Sequence, residues 1–231
     1  LQQSLTAILQ PLEQTLATYD YGRILRAGVS AVIVGKPNVG KSTLFNLLSG
    51  SQRSIVTEIA GTTRDVVEEQ IRLGDVTLRL SDTAGLRETE DIIEQIGVRR
   101  AGERLRDADL ILAVFDATRP LDDDDRRMLE QLPEKPVIAI LNKSDQPALL
   151  EPAALQAQFS RVISMAAKDG NGLEELRQAV EELFYREQVT PEMGVVSNER
   201  QKQCLEHARA QILQAQEALE AGEMLDAVTV L

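Results

Sequence analysis

The sequence predicts a doubly wound α/β domain with a mostly parallel sheet, carried between two helical segments. Two observations predict it. From Gly28 onward, short runs rich in Val, Ile and Leu alternate with amphipathic helical patterns, as in parallel sheets covered by helices on both faces. The first of these runs leads straight into Gly35-Lys36-Pro37-Asn38-Val39-Gly40-Lys41-Ser42, which satisfies G-x-x-x-x-G-K-[ST] and opens a helix-like stretch from Ser42 to Leu48.

Residues 1–27 carry Leu5, Ile8, Leu9, Leu12, Leu16 and Tyr19 at helical spacing. They read as the amino-terminal piece of a helical domain, with Pro11 near a helix start or a kink. Val29–Val34, Val76–Leu80, Leu110–Phe115, Val137–Leu141 and Val162-Ile163 read as strands, mostly continuous in apolar character. Arg99–Arg106 and Leu173–Leu183 read as helices between them, so 28–190 is expected to form the α/β domain. Asp122-Asp123-Asp124-Asp125 reads as the first turn of a solvated helix, where carboxylates suit the positive end of the dipole. In 191–231 the helical spacing returns, with Cys204, Ala208, Ile212, Ala215 and Leu219 on one stripe. The expected partner of that stripe is the amino-terminal helix. The α/β domain then reads as an insertion into a helical domain whose carboxy-terminal segment is incomplete here.

With 231 residues the chain can form one full domain and a smaller helical appendage. A hydrophobic fraction of 43% beside 27% charged residues is that of an ordinary globular protein. The net charge of −12 opposes a nucleic-acid backbone, so little direct RNA binding is expected. Cys204 is the only cysteine, which excludes an internal disulfide. His207 is the only histidine, which excludes histidine-rich metal sites and any scheme pairing His with a Ser or Cys nucleophile. No apolar run approaches the ~20 residues that span a membrane. The opening Leu1-Gln2-Gln3-Ser4 has no basic, signal-like character, so the cytoplasm is the expected compartment.

Three motifs carry chemistry. In Gly35–Ser42, backbone N–H groups can wrap phosphates, Lys41 can reach the outer two, and Ser42 can offer its oxygen to Mg²⁺ at a positive helix end. Asp82-Thr83-Ala84-Gly85 follows a strand, placing a carboxylate where it can hold the metal through water and a glycine amide where it can meet a γ-phosphate. Asn142-Lys143-Ser144-Asp145 follows another strand, and its asparagine and aspartate can hydrogen-bond a base with donors at positions 1 and 2. Guanine has those donors and adenine does not.

In this order the three motifs resemble the translation-factor-like branch of P-loop GTPases, a Ras-like fold. Tyr21-Gly22-Arg23-Ile24-Leu25-Arg26-Ala27-Gly28, the stretch Ile55 to Asp65, and Leu86-Arg87-Glu88 with Glu94-Gln95-Ile96-Gly97 narrow the likeness to the MnmE family of tRNA modification GTPases, over nearly the whole chain. The double-domain ribosome-assembly GTPase Der shares the loop and the 55–65 stretch. Its likeness does not reach the leading helix or Asn198-Glu199-Arg200. Ribosome-assembly GTPases of the Der or Era type, and a GTP-binding switch that recruits partners without catalysis, stand as alternatives.

The resemblance implies the following roles. GTP would be contacted by Asn38, Val39, Gly40, Lys41, Ser42 and Thr43, by the switch I residues Thr57, Glu58, Ile59, Ala60, Gly61, Thr62 and Thr63, and by Asp82, Thr83, Ala84 and Gly85. The base would lie against Asn142, Lys143, Ser144 and Asp145 and against Ala166, Ala167 and Lys168. There the usual serine is Ala166, and the Ala167 N–H is expected on the base oxygen. Mg²⁺ would take Ser42 and Thr63, with Asp82 through water. K⁺ would take Asn38, carbonyls of Thr57 and Ile59, and an oxygen of Thr62, replacing an arginine finger. Glu94 would orient the attacking water through a bridging water, with Leu86 and Val39 as an apolar cover. The GTPase domains would form a homodimer when GTP and K⁺ are bound. The full protein would work with the flavoprotein MnmG on the wobble uridine of tRNA.

Overall fold

The computed structural model of the chain describes residues 2–51, 68–81, 105–184 and 195–221. It divides into two compact units, Gly28–Tyr185 and the pair Leu1–Ala27 with Arg186–Leu231.

The first unit is built on a six-stranded sheet in the order β2-β3-β1-β4-β5-β6. Its strands are β1 (Val29–Val34), β2 (Glu68–Leu73), β3 (Val76–Ser81), β4 (Leu110–Asp116), β5 (Val137–Asn142) and β6 (Val162–Met165). All neighbours are parallel except β2 and β3. Strand β4 is buried at every position, which explains its unbroken apolar sequence: both faces of a central parallel strand meet protein. In β3, by contrast, Val76, Leu78 and Leu80 are buried while Thr77 is exposed, so this strand alternates rather than running continuously apolar.

Strand β2 is not foreseen by the pattern of apolar runs. Only Ile71 and Leu73 of Glu68–Leu73 are apolar; both are buried, and Arg72 between them is exposed. That is the period of a half-buried edge strand, and it pairs with β3 across the turn Gly74-Asp75. The hairpin was legible in the alternation on either side of that glycine.

Among the described residues the unit also carries helices α3 (Lys41–Ser51), α4 (Asp123–Glu130), α5 (Pro152–Gln156) and α6 (Leu173–Phe184). Leu44 and Leu48 of α3 are fully buried, as the i, i+4 spacing requires, each stabilising the fold by about 1.5–3 kcal/mol. Helix α3 packs on β1 and β2, and α6 on β3 and β6. Phe115 of β4 meets Phe159 with ring centroids 6.2 Å apart, in a cluster with Ala113, Ala139, Leu141, Leu150 and Leu155. Residues 99–104 of the helix read over Arg99–Arg106 lie outside the described residues.

The second unit pairs α1 (Gln2–Ala17) and α2 (Tyr19–Ala27) with α7 (Glu199–Glu220). Leu5 and Leu9 of α1 are buried against Ile212 and Ala215 of α7, with Leu12 and Leu219 packed beside them, so the apolar stripe finds its partner in the amino-terminal helix. Cys204, at the start of that stripe, is exposed. Pro11 neither starts α1 nor ends it; it lies inside the helix. Of the start or kink read for Pro11, the start is corrected: burial of Leu5 and Leu9 against α7, with Leu12 packed beside them, offsets the ~3 kcal/mol that an interior proline costs.

Asn198 caps α7, accepting from the Gln201 N–H at 2.8 Å. The Thr18 hydroxyl accepts from the Val196 N–H at 3.1 Å, and a Cβ on Gly22 would fall 2.1 Å from the Val196 carbonyl oxygen. Only glycine lets α2 approach that strap so closely. No helix among the described residues is long and apolar enough to cross a membrane.

Candidate functional site: a cavity between two loops

The carboxyl ends of the parallel strands place two loops side by side. Strand β1 ends in the glycine-rich loop, which turns into α3, and β5 ends in Asn142, followed by Lys143 to Gln146. Between them lies a cavity of about 410 Å³ lined by Asn38, Gly40, Lys41, Ser42, Thr43, Asn142, Lys143, Asp145, Gln146, Ala167 and Lys168. Open α/β sheets bind ligands in such a crevice, outside the carboxyl ends of their strands. A larger hollow of about 630 Å³, between α4 and Phe159, has none of the motif residues in its lining.

The loop conformation follows from its residues. Asn38 adopts φ 64°, a left-handed value that asparagine tolerates better than most residues, and its side chain is exposed at the cavity. Gly40 has φ 103°. The Lys41 ammonium donates to the Gly35 carbonyl at 2.8 Å and to the Lys36 carbonyl at 2.6 Å, which curls the loop round its own lysine. Burial pushes the Lys41 pKa below its ordinary value, a penalty on the cation that phosphate charge in the cavity would offset. Ser42 and Thr43 are exposed in the first turn of α3, where free N–H groups and the dipole favour an anion.

Asn142 ties this loop to the others. It is 4% exposed; its Nδ2 donates to the Val39 carbonyl at 2.8 Å, and its Oδ1 accepts from the Ala167 N–H at 3.0 Å. The Ala167 N–H therefore faces Asn142 here, not the open cavity, and a base oxygen at that point has to share it. Asn142 keeps one further N–H and one further lone-pair direction for a ligand. Lys143 takes φ 67°, and its ammonium donates to Asp116 Oδ2 at 2.5 Å. The Ser144 N–H holds the Met165 carbonyl at 3.0 Å, fastening the turn to β6. Asp145 is exposed on the cavity wall.

Three expected contact residues do not line the cavity. Val39 is 1% exposed and its carbonyl accepts from Asn142, while Leu86, its expected companion in an apolar cover, lies outside the described residues. Ser144, though exposed, fastens its loop through its backbone N–H, and Ala166, 1% exposed, bridges to Asn171. Thr57, Glu58, Ile59, Ala60, Gly61, Thr62, Thr63, Asp82, Thr83, Ala84, Gly85, Leu86 and Glu94 lie outside the described residues.

The motifs also left out two participants. Gln146 lines the cavity next to Asp145. Asp116, 7% exposed at the end of β4, accepts from the Thr118 N–H at 2.9 Å, the Thr118 hydroxyl at 2.7 Å and Lys143. Burial alone would raise its carboxyl, but Lys143 and Thr118 outweigh it and hold the pKa below the ordinary value. A carboxylate closing an otherwise apolar strand, in register with Asn142, is the signal that could have found it.

The comparisons with known proteins agree with this geometry. Residues 30–143 match the family model described as 50S ribosome-binding GTPase. Over 222 residues the chain is 45% identical to the tRNA modification GTPase MnmE of Geobacter metallireducens, covering 95% of this chain and 48% of that protein. The MnmE of Lactiplantibacillus plantarum is 39% identical over 234 residues, covering 100% of this chain and 50% of that protein. Among solved structures, Era from Aquifex aeolicus bound to GDP·AlF4⁻ superposes with a TM-score of 0.55 at 31% identity, covering 71% of this chain and 59% of that one. The chain spans about half the length of the curated relatives it matches. The Era likeness carries the Ras-like P-loop GTPase fold, whereas the MnmE likeness runs through the flanking helices as well. Over nearly its whole length the chain is similar to the tRNA modification GTPases named MnmE, and its sheet unit carries the Ras-like P-loop GTPase fold.

Proposed function

We propose that this chain binds GTP in the cavity between the two loops and hydrolyses it to GDP and phosphate with Mg²⁺ and K⁺. The whole protein would act in carboxymethylaminomethyl-type modification of the tRNA wobble uridine, in the cytoplasm and together with the flavoprotein MnmG. The observation that carries the nucleotide reading is Asn142, whose buried amide joins the phosphate loop at Val39 to the base loop at Ala167. One side chain thus fixes the distance between the two ends of a nucleotide site. In this reading 28–190 is the GTP-binding domain, and 1–27 with 191–231 are pieces of a helical domain.

The exposed hydroxyl of Ser42 at the start of α3 fits a magnesium ligand. Mg²⁺ would be held by Ser42 and Thr63 directly and by Asp82 through water, and supplies positive charge against the outer phosphates. Asn38, exposed at the cavity with its strained φ, fits an anchor for K⁺, with Thr57, Ile59 and Thr62 as the other ligands. K⁺ would supply the charge that an arginine finger supplies in other GTPases, and pairing of two GTPase domains would hold the switch I loop round it.

GTP turnover measured against K⁺ and protein concentration together tests the reading. Hydrolysis is expected to be at least about tenfold faster in K⁺ than in Na⁺, a modest part of the ~10³–10⁵ that a compensating charge contributes at a transferring phosphoryl group. Specific activity should rise with protein concentration. Equal rates in the two salts would remove K⁺, a specific activity independent of protein concentration would remove the dimer, and no phosphate release in either salt would leave only a binding switch.

Base choice is tested separately. Asp145→Asn should weaken GTP binding by roughly ten- to a hundredfold, the loss of a charged hydrogen bond, and improve binding of xanthosine triphosphate. The 2-position then meets an amide donor, which suits an oxo group. A variant that binds GTP as the parent does, in competition with labelled GDP, would take Asp145 off the base.

A further inference from the structure

We propose that Asp122 and Asp125, at the start of α4, are positioning residues for the phosphate loop and act through Lys36. The inference rests on the nucleotide reading of the cavity and adds to it a part that no motif covers. Lys36 is the second residue of the glycine-rich loop, yet its side chain points away to the acidic run and is only 18% exposed. Its ammonium pairs with the Asp122 carboxylate and lies 3.8 Å from Asp125 Oδ2 and 4.0 Å from Asp124 Oδ2.

The acidic run is therefore more than a solvated first turn. Asp122 is the N-cap of α4: its carboxylate accepts from the N–H groups of Asp124 and Asp125, and the Asp125 side chain accepts in return from the Asp122 N–H at 3.1 Å. This reciprocal cap locks both side chains. The Asp125 side chain is 3% exposed, and a carboxylate so buried needs cations beside it. Two are present, Lys36 and Arg119, the latter 3.1 Å from Asp122 and 3.7 Å from Asp125.

The anchor bears on the nucleotide through the backbone. The Lys36 carbonyl, with that of Gly35, holds the Lys41 ammonium inside the loop. Fixing the Lys36 side chain fixes the carbonyl that aims Lys41 at the phosphates. A loop held in its binding conformation before the ligand arrives spends less of the interaction free energy on ordering. Without the ion pair the loop keeps its ligands but not its fixed shape.

The test uses the full chain, with GDP and Mg²⁺ as the probe and thermal unfolding in parallel. Asp122→Asn with Asp125→Asn removes charge while keeping acceptors for the cap, since asparagine caps as well as aspartate. Lys36→Met removes the cation and keeps the aliphatic stem. Each is expected to weaken GDP binding about three- to tenfold, and the two together no more than either alone, because they remove one shared interaction. Lys36→Arg should bind within about twofold of the parent, as a cation remains to reach the same carboxylates. Lys36→Met with parental GDP affinity overturns the proposal, as does a combined variant whose losses multiply. A lowered melting temperature with GDP binding untouched also overturns it, because the pair would then serve only the fold. Should the double Asp variant not fold, Lys36→Met against Lys36→Arg decides. A parent chain that binds no GDP refutes the nucleotide reading itself, whereas a binding parent with indifferent Lys36 variants refutes this inference alone.

Discussion

Gly40→Ala should leave the chain folded and weaken GDP binding by at least about a hundredfold. A Cβ at residue 40 would fall 2.0 Å from Asn142 Nδ2, and Gly40 holds φ 103°, where any side chain is strained. Asn142 has nowhere to swing, because it is 4% exposed and bonded at both ends, to Val39 and to Ala167. The backbone strain costs about 1–3 kcal/mol. Displacing a buried amide from its partners costs a further ~1–3 kcal/mol. Together they amount to roughly 3 kcal/mol, which at 1.4 kcal/mol per decade is about a hundredfold. The damage should reach the base end of the cavity, through Asn142, as well as the phosphate end. Titration with labelled GDP, with circular dichroism to follow folding, measures the effect. Adding Asn142→Ala should cost less in the Gly40→Ala background than in the parent, since it removes the clashing atom. Equal costs in the two backgrounds would show that residues 40 and 142 do not press on one another.

Much of this architecture was legible because the strands next to the site are buried on both sides. Leu110 to Phe115 and Ile138 to Leu141 have no solvent face, so their apolar runs are unbroken, and the ends of Val29–Val34 and Val137–Asn142 mark the two loops. Strand β2 was not legible by that rule, since an edge strand that buries only Ile71 and Leu73 offers half the signal. Within the site, motif spacing placed Asn142 and Gly40 near a nucleotide but could not place them against each other. Their contact joins residues 102 positions apart in sequence (142 − 40), and neither residue type reports the other. The acidic run was similar. Its position at a helix start was readable from local charge, whereas the burial of Asp125 depends on Lys36 and Arg119 arriving from other elements. Local rules found the elements, and the polar braces between elements needed the fold.

Glu94→Ala should lower GTP turnover by a factor on the order of 10²–10⁴ and leave GTP affinity within a few-fold of the parent, if Glu94 orients the attacking water. In Ras-like GTPases a glutamine after the Asp-x-x-Gly motif does this, and here that position, after Asp82 to Gly85, is Leu86, which offers no hydrogen bond. Another group has to take the water's proton or hold its lone pair in line. The family likeness assigns that task to Glu94. A carboxylate acting through a bridging water bears on the nucleophile without touching the nucleotide, so its removal should fall on kcat and spare binding. Glu94→Gln separates the two ways it could act. An amide still orients a water but accepts a proton far less readily, so recovery of most of the lost rate would make orientation the larger part of the role. Single-turnover phosphate release, measured in K⁺ at saturating protein, keeps dimerisation and product loss out of the comparison. Turnover unchanged in Glu94→Ala would make that carboxylate a surface group and leave the water to be positioned by some other residue.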